Sequence, residues 1–433
     1  GVDIGYYRML GYYGIIGFLL ITYTLYYLIY CTRSDLDIYT KHAFFINFLV
    51  LNFKGDVQVF NNNIIPIVVA FLFFSSFMKK TVYFILQHLC TGGVEICVTN
   101  VANALVRRGY QVVFLSLLQN NELAEIIDPL VKIDYLTPLK AGGNFSVFYK
   151  LRRKLLCRVV LYRKLRKIRE SIVISTRNEY SVMVSKLVSS DNLKIAQLHH
   201  DYIDRKEIIN DFKYKYNRID YFFILTDDVR VEIMDIMKGN NTYTKCVTVP
   251  NFIPRQISLR SNKRTEIALA VGRLSTEKGF LRLLDVWKLV DKQSEGKYQL
   301  YIIGEGSERM HLEMRIKELK LHNAVRLLGL LPNSEVAEWM QKSRIYCMSS
   351  FTEAFSMVLL EAMGNGLPQV AFDVRVGPRN LILEGETGYL VKDGDIETYA
   401  ARVLSMFSDS NQWQKMSIAS KLRFNAFSEK NVI

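Results

Sequence analysis

Cysteine is sparse in this chain, with six residues in 433. Cys31, Cys90, Cys97, Cys157, Cys246 and Cys347 are scattered and form no Cys-x-x-Cys pair. That argues against a disulfide framework or a zinc site and for reduced thiols in the cytosol. The first strand-like run after residue 78 is not followed by G-x-G-x-x-G, which argues against a nicotinamide-dependent dehydrogenase. The first long apolar run is not followed by a small-residue cleavage site, which argues against a secretory signal. Acids are also in short supply: 42 Asp and Glu stand against 56 Lys and Arg, for a net charge of +14. Such a surplus points to an anionic partner: nucleic acid, nucleotide phosphate or a membrane surface.

What is abundant is apolar sequence, half of all residues, and it is unevenly placed. Residues 11–30, "GYYGIIGFLLITYTLYYLIY", are twenty uncharged positions, the length of a bilayer span. A second run, 64–78, is closed by Lys79 and Lys80, which favour the cytoplasmic side. Residues 1–77 therefore read as a hydrophobic helical segment, membrane-spanning or else a core element. It is either an anchor or a fused fragment of a neighbouring membrane protein, since the chain opens on Gly1. Residues 150–169, "KLRRKLLCRVVLYRKLRKIR", hold ten basic residues and no acid. Leu151, Leu155, Val159 and Ile168 recur there at roughly helical spacing, as in a basic amphipathic helix suited to an anionic membrane surface. A connecting helix with this stripe in the core is the alternative.

From Met78 the texture is soluble α/β. Strand-like "KTVYFILQHL" (80–89), a glycine turn feeding a helix (91–110) and a second strand (111–118) form a βαβ unit. Strands follow at 171–176, 194–200 and 221–226. "CVTVPNFIP" (246–254) reads as a linker into a second such unit, with strands at 298–306, 325–329, 344–350 and 367–373. The expected architecture is two doubly wound Rossmann-like domains, 78–253 and 254–433, facing a ligand cleft at their strand carboxyl ends.

The segment "FTEAFSMVLLEAMGNGLPQV" (351–370) puts two acids, Glu353 and Glu361, into an otherwise apolar run. A buried, unpaired carboxylate is costly, so both acids sit in water or face a ligand. The spacing predicts a helix from about Phe355 to Met363, with Glu353 just before it and free N–H groups near Phe355 and Ser356 suited to phosphate. Glu361 is placed to accept from ribose hydroxyls. Arg273 and Lys278 flank the polar turn after the strand at 266–271, where cations can stabilise charge developing on a departing diphosphate. Gly92 and Gly93 let backbone approach the phosphates or the acceptor.

The ordered motifs "GGVE" (92–95), "VPNFIP" (249–254), "VGRLSTEKG" (271–279), "IIGEGSER" (302–309), "FTEAFSMVLLEAMGNGLP" (351–368) and "GETGYLV" (385–391) together resemble the family-4 (GT4) glycosyltransferases. These are retaining enzymes of the GT-B fold. The resemblance runs from Met78 to about residue 430, and "FDVRVGP" (372–378) resembles those that build bacterial surface polysaccharides. It implies transfer of a sugar from a nucleotide-diphosphate sugar to a lipid-linked or saccharide acceptor, on the cytoplasmic face of the inner membrane. It places His199, Arg273, Lys278 and Glu353 at the reacting centre, with Glu353 on the transferred sugar and Glu361 on the ribose. His199 faces the sugar, and His200 ranks behind it. Gly92, Gly93, Phe355 and Ser356 complete the donor site. No cofactor is expected, nor a metal: the "DLD" (35–37) and "DGD" (393–395) triplets are poorly placed, and cations can do the metal's work. "FNAFSEKNVI" is expected to stop before the closing helix that returns to the first domain. The rival functions are a nucleotide-sugar epimerase on the same fold and a non-catalytic, membrane-tethered nucleotide-sugar binder.

Overall fold

The computed structural model describes residues 80–432, apart from 91, 142–146, 204 and 255–263. The segment 1–77 and its expected spans lie outside the described residues. Among the described residues no helix is long and apolar enough to cross a membrane.

Two parallel sheets organise residues 80–432. In the first lobe, β1 (Val82–Leu86), β2 (Val112–Ser116), β3 (Lys132–Tyr135), β4 (Ile172–Ser175), β5 (Leu193–Leu198), β6 (Tyr221–Ile224) and β7 (Lys245–Thr248) take the order β3-β2-β1-β4-β5-β6-β7. Every pairing is parallel. The intervening helices are α1 (Gly93–Arg107), α2 (Val147–Leu165), α3 (Asn178–Leu187), α4 (Lys206–Tyr214) and α5 (Asp227–Met237). Helices on both faces bury the sheet, which is why its central strands are continuous apolar runs rather than alternating ones. A cluster of buried rings, Tyr202, Phe212, Tyr216 and Phe222, closes one side, with neighbouring centroids 5.0–5.5 Å apart.

The second lobe repeats the scheme. Its strands are β8 (Ile267–Val271), β9 (Gln299–Ile303), β10 (Val325–Gly329), β11 (Ile345–Met348), β12 (Gln369–Asp373) and β13 (Gly388–Lys392), in the order β10-β9-β8-β11-β12-β13. Its helices are α6 (Phe280–Gln293), α7 (Arg309–Glu318), α8 (Asn333–Lys342), α9 (Met357–Gly364), α10 (Pro378–Leu381), α11 (Ile396–Ser408), α12 (Ser410–Phe424) and α13 (Glu429–Val432). Trp287 of α6 and Tyr399 of α11 are fully buried in its core. The Tyr399 hydroxyl donates to the carbonyls of Met348 (3.2 Å) and Val370, tying β11 and β12 to that core.

Four features differ from the sequence reading or add to it. β3 was unread, and β7 occupies the front of the segment taken as a linker. The apolar stripe of α2 is turned outward: Leu151, Leu155 and Val159 are exposed, while Leu161, Leu165 and, beyond the helix end, Ile168 are buried. The chain also returns to the first lobe within its described residues, since Glu429 of α13 pairs with Arg107 and, at 2.9 Å, with Arg108.

Candidate active site

A doubly wound sheet opens a crevice where its strand order reverses, outside the carboxyl ends of the strands. In the first lobe the reversal lies between β1 and β4, and in the second between β8 and β11. The candidate residues leave those strand ends: Gly92 and Gly93 after β1, Arg273 and Lys278 after β8, Glu353 after β11, and His199 after β5, the neighbour of β4.

The best-defined contact joins two of them. Lys278 Nζ donates to Glu353 Oε1 at 2.6 Å, and Ser350 Oγ donates to the same oxygen at 2.8 Å. Lys278 ends a short 3-10 turn, Thr276–Lys278, and Gly279 follows with φ +64°. A Cβ at Gly279 would run into the carbonyl of Ser349, so glycine is required twice over, by backbone and by space. Lys278, Glu353, Ser356 and Tyr346 line one small hollow. The Tyr346 hydroxyl donates to the Val271 carbonyl at 3.1 Å, packing the hollow's floor against the end of β8. Arg273 is exposed; its backbone carbonyl accepts from Ser275 N at 2.8 Å, and its guanidinium makes no hydrogen bond or ion pair among the described residues. It is the open cation at this strand end, whereas Lys278 is already paired.

Sequence reasoning did not find the residue that holds this loop, Arg282 on α6. Its Nε donates to the Ser349 carbonyl at 2.6 Å, a second nitrogen to the Ser350 carbonyl, and a third to Asp393 at 2.6 Å. Its guanidinium lies between the rings of Phe351 (3.9 Å) and Phe372 (4.1 Å). A cation in the first turn of the helix, one turn after the Lys-Gly pair, was the available signal.

The helix after Glu353 starts two residues later than its sequence suggests. Ser356 caps it from φ +72°, a conformation side chains rarely adopt, and its Oγ accepts from Leu359 N at 3.4 Å. Phe355 turns its ring into the core against Phe427, so only its backbone is left to meet a ligand. The first free N–H groups belong to Met357 and Val358 rather than to Phe355.

Glu361 projects from the second turn of α9 with partial access to solvent. No side-chain partner engages it among the described residues, and desolvation pushes its carboxyl up to about 7. Its charge, after burial itself, raises the Cys97 thiol, so Glu361 lies near the first turns of α1. That N-terminus has Gly92 as its cap residue and no capping side chain, leaving backbone N–H groups free. Glu95, the buried acid of this turn, was not singled out from sequence.

The two histidines sit in different surroundings. His199 bonds Gln197 at 3.1 Å, and burial, with His200 second, pushes it down to about 3. It is a neutral imidazole at physiological pH and can accept or donate one hydrogen bond, but carries no charge. His200, ranked second from sequence, shares an interdomain hollow with Ala354, the neighbour of Glu353. The next residue, Asp201, accepts from Arg375 of the β12–α10 loop, and Arg375 also pairs with Glu232 of α5. Gly377 in that loop, at φ +95°, would place a Cβ 2.8 Å from Glu353 Cβ. The loop therefore touches both the Glu353 segment and the first lobe.

Residues 255–423 match the family model described as glycosyl transferases group 1. The chain is 27% identical over 372 residues to an uncharacterized glycosyltransferase of Haemophilus influenzae, covering 82% of this chain and 98% of that one. An amylovoran biosynthesis glycosyltransferase of Erwinia amylovora is 36% identical over 147 residues, 34% of this chain and 40% of that relative. Among solved structures, the pneumococcal O-GlcNAc transferase GtfA with UDP and GlcNAc superposes with a TM-score of 0.68 at 15% identity, over 82% of this chain and 97% of that one. The two-lobed fold, the group 1 match across the second lobe and the end-to-end relative converge: this protein is a glycosyltransferase.

Proposed function

We propose that the protein moves a sugar from a nucleotide-diphosphate sugar to a saccharide or lipid-linked hydroxyl in surface-polysaccharide synthesis, with retention of the anomeric configuration. The observation that carries the reading is the Lys278–Glu353 pair at the β8/β11 switch point, with Arg273 open beside it. In this reading the diphosphate lies between Arg273, Lys278 and the free N–H groups at the starts of α9 and α1. Glu361 accepts from the ribose hydroxyls. Negative charge grows on the diphosphate as the glycosidic bond breaks, and preorganised cations there lower the barrier.

Glu353 is held by a lysine and a serine on one oxygen, which fixes it as an acceptor for a sugar hydroxyl. The proton of the incoming hydroxyl then goes to the departing diphosphate on the same face, the geometry that retention requires. Neutral His199 contributes a hydrogen bond to the sugar. No resident metal is proposed, because the cations occupy its place. The site of action is the cytoplasmic face of the inner membrane.

The test is turnover of the purified full chain with a panel of nucleotide sugars, an oligosaccharide mixture and membrane lipid extract. Sugar transfer with stoichiometric nucleotide release is expected, unchanged by a chelator. Lys278→Ala lowers kcat on the order of 100- to 1,000-fold, as for loss of one transition-state donor. Saturable nucleotide binding with no release from any donor would overturn the reading in favour of a binder.

A further inference from the structure

Helix α2 leaves its apolar stripe uncovered. Phe148, Leu151, Leu155, Val159 and Tyr162 follow at successive spacings of three, four, four and three, which places them on one helix face. Phe148 is 77% exposed, Leu151 65% and Leu155 64%. From Phe148 to Val160 no residue of the helix is buried, and its buried anchors are Leu161 and Leu165 in its last turns, with the half-buried Cys157 packed beside them. Single exposed leucines are ordinary, but an ordered stripe along one helix face is not.

The flanks of the stripe are cationic. Arg152 and Arg163 border one edge, Lys154 and Arg158 the other, and no acid occurs anywhere in the helix. Lys164 bonds Asp134 at 2.6 Å. Arg152, Lys154, Arg158 and Arg163 have no carboxylate partner among the described residues. An apolar stripe between two rows of unneutralised cations matches the cross-section of an anionic bilayer surface: acyl chains for the stripe, phosphates for the rims. Nucleic acid would satisfy the rims and leave the stripe in water. Because all strands of the first lobe are parallel, the N-terminus of α2 lies on the same side as the strand carboxyl ends, where the crevice opens.

We propose that α2 is a docking helix that seats the first lobe on an anionic lipid surface, with Phe148, Leu151, Leu155, Val159 and Tyr162 entering the headgroup–acyl boundary. The proposal is independent of the transfer chemistry, because docking is read without donor or acceptor. It brings the acceptor-side lobe and the mouth of the crevice to the membrane plane.

The full chain contains other long apolar runs, so the test reads the helix rather than bulk binding. Leu155→Trp, an exposed position, reports on vesicles of phosphatidylcholine with brominated acyl chains, with and without phosphatidylglycerol. Expected are a blue shift and quenching on the anionic vesicles only, reduced by salt near ~1 M, where charges are screened beyond about 3 Å. Arg152→Gln with Arg158→Gln weakens the quenching affinity on the order of tenfold. In the unsubstituted chain, amide exchange across 148–160 slows on the same vesicles. Three results overturn the proposal. One is an unquenched indole while the chain floats with the vesicles, and another is equal quenching without phosphatidylglycerol. The third is a blue shift that grows with protein concentration alone, which assigns the stripe to a second copy.

Discussion

In the proposed donor site, Glu361 sets stability against donor binding. Its carboxyl has an ordinary value of 4.5 and rises to about 7 in the fold. The folded state therefore holds a proton that the unfolded chain has released between those values. Its stabilising contribution is full below about 4.5 and is lost as the pH climbs through about 7. Glu361→Gln should raise Tm at pH 8, by the equivalent of roughly 1–3 kcal/mol for a relieved desolvation penalty, and change nothing near pH 4. The ionised acid is the better acceptor for ribose hydroxyls, so UDP or a related nucleotide should bind more tightly as the pH rises through 7. The glutamine variant should bind weakly and show no such slope. Calorimetric titration at pH 6 and pH 8 checks both halves; a variant that keeps the pH slope removes Glu361 from the nucleotide site.

At the scale of elements, the loop between β11 and α9 depends on how closely α6 and its preceding turn approach it. Gly279→Ala forces a Cβ toward the Ser349 carbonyl from a left-handed backbone. We expect a loss of about 1–3 kcal/mol of stability and a larger loss of kcat, because Lys278 moves with the turn. Arg282→Lys keeps the charge but cannot hold two carbonyls and Asp393 at once, so kcat should fall while Tm changes little. Thermal melts beside initial rates separate the two effects. What was legible in sequence follows the same division. Glycine turns at strand ends are readable in sequence, and Gly92, Lys278 and Glu353 each follow a strand end. β3 was missed because "KIDY" is a partly exposed four-residue edge strand. The start of α9 was misplaced because no propensity rule puts a serine at φ +72°. The outward turn of the α2 stripe was also hidden, since periodicity reveals a face without saying what covers it.

Arg375 belongs to the scale of the whole molecule. It lies 174 residues from Asp201 in sequence, so no local pattern could have announced the pairing. Its guanidinium spans two carboxylates of the first lobe and rests 5.4 Å from the Tyr202 ring, whose hydroxyl donates to Glu232 at 3.1 Å. Among the described residues, Glu429 at α13 makes the other ionic tie, to Arg107 and Arg108 of α1. The two ties differ in what lies beside them. Arg375 is two residues from Gly377, which abuts Glu353, and Asp201 follows His200, so breaking this tie frees both walls of the crevice. The Glu429 tie touches no candidate site residue. Arg375→Ala leaves Asp201, only 16% exposed, without its cation, a loss of roughly 3–5 kcal/mol if the site does not rehydrate. Arg375→Ala should therefore lower kcat and raise the donor KM together, whereas Glu429→Ala should lower Tm slightly and leave both constants unchanged. A double variant Asp201→Asn with Arg375→Gln removes one charge of each sign, leaves the half-exposed Glu232 to water, and should recover most of the stability without recovering kcat. Rates that recover along with Tm would make Arg375 a strut between the lobes and nothing more.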